Sequence, residues 1–591
     1  MKIAFMSRAP IFRLPSPFPA RTQETRTMSR AATGRLPIMS ALISGMLALA
    51  QVAGWPGISS AQENLPNPPG SSTETASPAP AGIEEIYFDG SGDGLLSRLL
   101  YSDVPVDWSR VPPVRIYPRV GDFPVPPTGP GYYSLYDWLT GNYRQAPPKF
   151  PYFRFALMPP SFFDADFRYL EDPNNTDFDW SDFLHRVHLG DNWLFATGGQ
   201  FWTRYMHEVN SRLSGFENDY TLIRTRVWAD LWYRDLVRLY AEFLDAHSLD
   251  PDLPPLRIDV NRSDFLNAFV EIKAGEWEDH PIYVRLGRQE ILLGSQRLIS
   301  TLDWANTRRT FDGVRAYRQG ENWDIDVFWL QPVIPNPSRL DSKDNNQNFA
   351  GIWTTYRPRR GTFLDMYYLF LDNTNNVTLR GLQLAPYNVH TLGSRYAGDL
   401  ESRWLWDFEA ALQLGERGNQ DIVAAMATVG LGYARTDWFW SPTFWVYYDF
   451  ASGDRTPNSG EFNTFNQLFP FGHYYLGWLD LVGRQNIHDF NMHLFLYPTK
   501  WITLWVQYHR FWLVSPKDAL YNAAGVPIRA DLTGAAGNDV GHELDLVFNF
   551  HLTNHSEVLV GWSKLYAGDF IKATGPGQSP ELFYLMYNFR W

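Results

Sequence analysis

The sequence predicts an all-β chain: a transmembrane antiparallel β-barrel of eighteen strands with an N-terminal periplasmic extension. Three observations predict it. From Trp193 onward, segment after segment alternates apolar and polar residues with period two, the signature of strands that face two different environments. The links between these segments alternate between short and long, as they do where one end of every strand pair is trimmed and the other elaborated. The chain closes on "LFYLMYNFRW", where Leu585, Tyr587, Phe589 and Trp591 share one face and the last residue is aromatic.

Taken in order, the first element is a leader. The apolar run "LPIMSALISGMLALAQVAG" ends in the small residues "ISSA", which reads as a secretory signal peptide over residues 1–61, cleaved after Ala61. Met28 makes a more typical start for it than Met1, and a membrane anchor helix is the alternative reading. Residues 62–82, rich in Pro, Ser and Thr, form a linker that cannot bury a core. Residues 83–182 are mixed, carry one candidate strand at Tyr152–Leu157, and have no assigned role.

The barrel is expected over residues 183–591. Strands are expected to begin near Trp193, Tyr220, Val237, Phe265, Ile282, Asp312, Trp323, Asn348, Thr362, His390, Arg403, Ile422, Ser441, Ile487, Ile502, Val540, Ser556 and Leu582. Each is long enough for the roughly 9–11 residues that a tilted strand needs to cross the hydrocarbon core. In "YTLIRTRVWADLWY" Arg224, Arg226, Trp228 and Asp230 share one face, against Ile223, Thr225, Val227, Ala229 and Leu231. In "VRLYAEFLDA" Arg238, Tyr240 and Glu242 oppose Val237, Leu239, Ala241 and Phe243. Tight links fall at Arg234, Glu278, Gly320, Arg359, Asp399, Thr436, Pro498 and Thr553, with long ones between them.

One stretch concentrates charge. "VRLGRQEILLGSQRLISTLDWANTRRTFDGVRAYRQG", Val284–Gly320, holds seven arginines in a chain of formal net charge −13. Arg285 and Gln289 leave the sheet on one face; Arg315 and Tyr317 return on it. The connection between them carries Leu298, Ile299, Leu302 and Trp304, which is poor composition for a solvent loop. It is expected to fold into the mouth and present Arg297, Arg308 and Arg309 to the bore, since guanidinium groups stay charged and bind carboxylates in a fork. With Arg204, Arg224, Arg226, Arg238, Arg285 and Arg315, and with the acids Asp230, Glu242 and Glu271, these residues define the expected solute path. Seven cations against three acids in the stretch leave a positive excess. The alternative is that the arginines pair with acids and stiffen the wall. Arg288 falls on the lipid-side alternation, so either Gly287 marks a bulge or Arg288 sits at an interface.

Other chemistry is sparse. The chain has no cysteine, which removes disulfides, thiol nucleophiles and Cys-based zinc sites. No His-x-x-x-His pair or nucleophile–base order supports catalysis, so an enzyme is not predicted and no cofactor is called. The fragment "GSGDGL" at Gly90 lacks most calcium-loop ligands, and "SGDRTPNSGE" offers Asp454 and Glu461 as a weak calcium candidate.

Longer motifs carry a resemblance. "GGQFWTRY" from Gly198, the arginine stretch from Val284, "ASGDRTPNSGEFNTFNQLFPFGHYYLGWLDLVGRQNIHDF" from Ala451, "FWLVSPKDALYNAAG" from Phe511 and "WSKLYAGDFI" from Trp562 resemble the alginate export family of outer-membrane porins, over about Leu189–Trp591. The resemblance implies an outer-membrane channel with a narrow, electropositive conduit for an anionic polysaccharide or a small anionic solute. Its partners would be outer-membrane lipid, that solute, the outer-membrane assembly machinery and a possible periplasmic protein, with no nucleic acid. A secreted β-rich glycan-active enzyme and a non-conducting scaffold barrel are the competing readings.

Overall fold

The computed structural model describes residues 105–113, 127–149, 161–359, 361–379, 383–456 and 459–591, all within one compact unit, Gly92–Trp591. The leader, the linker, the Gly90 fragment and the candidate strand at Tyr152–Leu157 lie outside the described residues.

Eighteen long strands form the wall: β1 (Trp193–Val209), β2 (Asn218–Tyr233), β3 (Val237–Leu249), β4 (Asn261–Trp277), β5 (His280–Gln289), β6 (Phe311–Gln319), β7 (Trp323–Ile334), β8 (Gln347–Arg359), β9 (Thr362–Leu379), β10 (Gln383–Leu400), β11 (Trp404–Arg417), β12 (Gln420–Ala434), β13 (Thr443–Ala451), β14 (Ile487–Thr499), β15 (Ile502–Leu513), β16 (Asp539–His551), β17 (Ser556–Ala567) and β18 (Glu581–Arg590). Each pairs antiparallel with the next, and β18 returns to β1 in register from Gln200↔Arg590 to Val209↔Glu581. The closed sheet leaves no row of unpaired amides for lipid to penalise. No helix among the described residues is long and apolar enough to cross a membrane; the strands do the crossing.

Alternation sorts the two faces. Val227, Leu239, Leu392, Leu412 and Leu431 stand on the outer face, between 48% and 64% exposed, where they meet hydrocarbon. Their neighbours Arg226, Arg238 and Gln413 point inward and are buried. The expected strand starts fall within four residues of those observed, except that β10 begins at Gln383 rather than His390. There β9 and β10 pair as far as Leu379↔Gln383, as a tall hairpin.

The short–long rhythm of the links is real but not strict. On the external side β11 and β12 are joined by Gly418 and Asn419 alone, with Gly418 at φ 55°, so this end is as trim as the periplasmic turns. On the periplasmic side, residues 435–442 join β12 to β13.

Two adjacent glycines seal the seam. A side chain on Gly198 would meet the Trp228 ring at 2.8 Å. On Gly199 it would meet Trp591 Cζ2 at 2.4 Å and Arg226 O at 2.5 Å. The Gly199 amide donates to Trp591 O at 2.9 Å, and the Trp591 amide returns to Gly199 O at 3.1 Å. The "GG" of "GGQFW" thus makes room for a tryptophan on each face, one of them the terminal residue.

The bore is filled from both ends. The external loops 290–310 and 452–486 turn inward and join across the lumen: Ser300 N donates to Phe469 O, Phe469 N to Leu298 O and Phe471 N to Gln296 O. Their Leu298, Ile299, Trp304, Phe465, Tyr474 and Trp478 pack with inward Trp202, Trp353, Trp505 and Tyr584 as one apolar cluster. From the periplasmic end Phe162, Phe163 and Phe167 pack against Trp228, Tyr240 and Phe269.

Candidate functional site

The strands place arginines in rows on one side of the bore. Register sets Arg238 opposite Glu271, Glu271 opposite Arg285, and Arg285 opposite Arg315, across β3 to β6. Like charges directly opposite on neighbouring strands repel, so carboxylates are interleaved. Arg238 forks onto Asp230 with two bonds of 2.8 Å. Arg285 donates to Glu271 at 2.6 Å and Arg315 to Asp326 at 2.8 Å. One layer further out, Arg226 donates to Glu242 at 2.6 Å and Arg308 to Glu290 at 2.5 Å, while Arg308 also contacts Asp303. Arg224 bonds Asp303 and Gln200 at 3.1 and 3.2 Å.

Two arginines on this side have no acidic partner among the described residues. Arg204 lies 3.5 Å from the centre of the Trp304 ring and 4.9 Å from that of Trp202, bonding only Trp304 O, at 3.0 Å. It lines a small cavity with Gln200, Arg224, Asp303 and Asn588. Arg309 is half-buried; it donates to Pro470 O at 3.1 Å and Ser300 O at 3.4 Å, 5.7 Å from the Phe469 ring.

Arg297 is held elsewhere. It reaches across to β11, bonding Asp407 at 2.8 Å and Glu409 at 3.0 Å, beneath the Tyr475 ring at 4.5 Å. There Arg395 of β10 donates to Asp407 at 2.6 Å and stands in register with Glu409 and with Asp365. Arg484 bonds Asp449 at 2.6 Å nearby.

These pairings correct the expected positive excess of the arginine stretch. Of its seven arginines, all but Arg309 bond a carboxylate; Arg318 takes Glu278 and Arg288 takes Asp312. Counting acids within the stretch misled because the partners Glu271, Asp326, Asp407 and Glu409 come from strands up to 112 residues away. Arg288 sits on the outer face at the external rim, and the β5 register runs unbroken through Gly287, so no bulge is involved. Glu242, Glu271 and Asp230 are buried counter-ions of this wall.

The far side of the bore, β14 to β16, is acidic. Asp489, Glu543 and Asp545 point inward without an arginine partner among the described residues. His509 bonds Asp489 at 2.9 Å and lies 3.9 Å from Asp545, and the Leu479 amide donates to Glu543 at 3.1 Å. Sequence reasoning passed over these acids and the Arg395–Asp407–Glu409 group, although "WLWDFEAALQL" and "GHELDL" carry them at alternate positions. The calcium candidate does not assemble. Asp454 is buried and accepts from the Thr456 amide, Glu461 is exposed, and no cluster of three metal-ligand side chains occurs among the described residues.

Below the barrel, Asp179 bonds His555 of the β16–β17 turn at 2.6 Å. Burial raises its pKa, but the bonds from His555 and the Ser181 amide outweigh that and hold it down to about 2. Trp180 lies parallel to Phe589, on the outer face of β18, with centroids 6.4 Å apart.

A closed sheet with a hydrocarbon-compatible outside, a polar charged inside and loops folded into the bore defines an outer-membrane β-barrel channel. The family model described as "Alginate export" matches residues 194–585, and the chain belongs to the alginate export family. No curated protein matches it. Solved structures similar to it include three proteins of Pseudomonas aeruginosa, one of them the outer membrane protein OprD. OccK8 (OprE) is 10% identical, with a TM-score of 0.45 over 67% of this chain and 98% of that one. OccD3 (OpdP) is 11% identical, with 0.44 over 67% and 91%. OprD is 13% identical, with 0.42 over 67% and 94%.

Proposed function

We propose that this channel passes anionic solutes, an acidic polysaccharide or smaller acids, along the arginine-rich wall of its bore. The observation that carries the reading is the composition of that wall. Arg204, Arg224, Arg226, Arg238, Arg285, Arg308, Arg309 and Arg315 line it in an acidic chain; Asp230, Glu242, Glu271, Glu290, Asp303 and Asp326 hold most of them, while Arg204 and Arg309 have no bonded carboxylate among the described residues. Fixed cations in a narrow, low-dielectric conduit attract anions far more strongly than charges in bulk water, and arginine rings are how pores favour anions. Arg309 and Arg204, lacking carboxylates of their own, are the residues whose charge a permeant acid would meet.

Both infolded loops pack into the bore, so a solute would have to pass between them or displace them. Planar-bilayer recording in a salt gradient tests the reading. The reversal potential should report anion preference, and Arg309→Gln should reduce it at low salt. The reduction should fade near 1 M salt, where the screening length is roughly 3 Å. A cation-selective reversal potential, or one that Arg309→Gln leaves in place, overturns the role of the wall. A folded barrel that never conducts would make it a scaffold.

A further inference from the structure

The extension beneath the barrel carries apolar residues on its outside. The short helix Leu135–Thr140 buries its one carboxylate: Asp137 is 1% exposed and accepts from Asn142 at 2.7 Å and from Arg144 at 3.2 Å. Its Tyr136, Trp138 and Leu139 face outward, all more than half exposed. Further along the chain Phe178, Trp180 and Phe183 are more than half exposed as well. Arg144 also donates to Asp177 at 3.4 Å, which ties the two pieces together. A helix facing water hides such residues and shows its charge. Exposed apolar patches of this kind mark a surface that something else covers.

The barrel indicates what covers it. At the periplasmic strand ends, outward-facing Trp193 stands opposite Tyr233, Trp323 opposite Tyr356 and Trp404 opposite Tyr433, with ring centroids 4.6 to 4.8 Å apart. Such aromatic pairs form the girdle that lies among lipid headgroups. Trp180 lies parallel, within 2°, to Phe589 on the lipid-facing side of β18, at its periplasmic end. Trp138 lies 6.4 Å from Trp501 of the β14–β15 turn, and the Tyr136 amide donates to Leu552 O of the β16–β17 turn at 3.0 Å. The extension is therefore fastened to the barrel beside its lipid-facing wall. Around the patch, partly exposed Lys149 and Asp172 stand 3.5 Å apart, so the polar rim carries both signs, as a zwitterionic headgroup does.

We propose that the N-terminal extension is an interfacial anchor whose partner is a phospholipid surface. Tyr136, Trp138, Leu139, Phe178, Trp180 and Phe183 sit in the headgroup region of the periplasmic leaflet, beside β14 to β18. Tyrosine and tryptophan suit that zone because one end of the ring is apolar and the other can bond water. Continuity selects lipid over a periplasmic protein or a second copy of the chain: through Trp180 and Phe589 the patch runs into the wall that already faces hydrocarbon. The proposal does not depend on what the channel passes.

The chain has no cysteine, so a single introduced cysteine takes a nitroxide label at one place only. Leu139→Cys and Phe178→Cys are labelled in the full chain and reconstituted in vesicles of phosphatidylethanolamine and phosphatidylglycerol. Leu392→Cys on the outer wall serves as the lipid reference, and Glu321→Cys in the exposed β6–β7 turn as the water reference. Power saturation of the electron paramagnetic resonance signal reads access to oxygen, which concentrates in lipid, and to a nickel chelate, which stays in water. The oxygen-to-nickel ratio at both sites should exceed that of Glu321→Cys several-fold and approach that of Leu392→Cys. A ratio at either site equal to that of Glu321→Cys places the patch in water and overturns the anchor. Low access to both reagents shows cover by a second copy of the chain and overturns it equally. Should either variant fail to give a heat-modifiable barrel, Phe183→Cys, at a side chain 72% exposed, takes its place.

Discussion

Replacing Arg297 with methionine separates bracing from selectivity. The side chain bonds Asp407 at 2.8 Å and Glu409 at 3.0 Å, and all three side chains are at most 1% exposed. Methionine fills the stem but leaves Asp365, Asp407 and Glu409 to Arg395 alone, whose nearest atoms stand 2.6 Å from Asp407 and 4.0 Å from the other two. Breaking a buried pair from one side costs about 3–5 kcal/mol, because the remaining charge is uncompensated. Arg297 is the ion-pair tie from loop 290–310 to β11, so part of that loss falls on loop docking. A docking loss of about 3 kcal/mol multiplies the undocked population roughly 150-fold, at 1.4 kcal/mol per factor of ten. Arg297→Met should therefore lower the urea midpoint of the heat-modifiable barrel and raise its open probability in bilayers. Arg297→Lys should fall between, since an ammonium cannot fork onto two carboxylates as a guanidinium does. Raising salt should change little, because the pair is buried. An Arg297→Met barrel with parental midpoint and parental gating would refute this account of the loop.

Gly199→Val should impair barrel assembly without blocking secretion, because its Cβ would meet both the Trp591 ring and the Arg226 carbonyl; overpacking of this kind costs about 1–3 kcal/mol. Deleting Trp591 should have the same effect by removing both backbone bonds to Gly199; parental levels of heat-modifiable barrel in either variant would contradict the seam. The Asp179 contact should weaken with acid. Its folded pKa of about 2 lies below the usual value of about 3.9, so its stabilisation is complete above about pH 4 and is lost as pH falls towards 2. Thermal midpoints of parent and His555→Asn should therefore differ at pH 5 and converge by pH 2, and a constant gap would rule out the titration.

The wall was legible in the sequence because lipid on one side and a polar bore on the other impose period two on every residue between. Where that constraint ends, legibility ended too. The start of β10 was placed at His390 because the hairpin that it forms with β9 continues past the segment where alternation is clear. The inward fold of loop 290–310 was readable from Leu298, Ile299 and Trp304, which no external loop would expose. Its partners were not, since Asp407 and Glu409 lie more than a hundred residues on and only closure of the barrel brings them to Arg297. Phe162 and Phe163 sit in a 3-10 turn with no period, so nothing local distinguishes a segment threaded into a bore from a linker.

The segregation of charge between the two sides of the bore has a directional consequence. With Arg204 and Arg309 lacking carboxylate partners on one side and the carboxylates of β14 to β16 lacking arginine partners on the other, any net field would point across the channel rather than along it. Such a field exerts little pull towards either end, but it applies a torque. A sugar acid crossing the gap would be turned carboxylate-first towards the arginines, with its hydroxyl-bearing edge towards Glu543 and Asp545, and water there would be polarised in the same sense. Orientation, as distinct from attraction, would then select among solutes of equal charge.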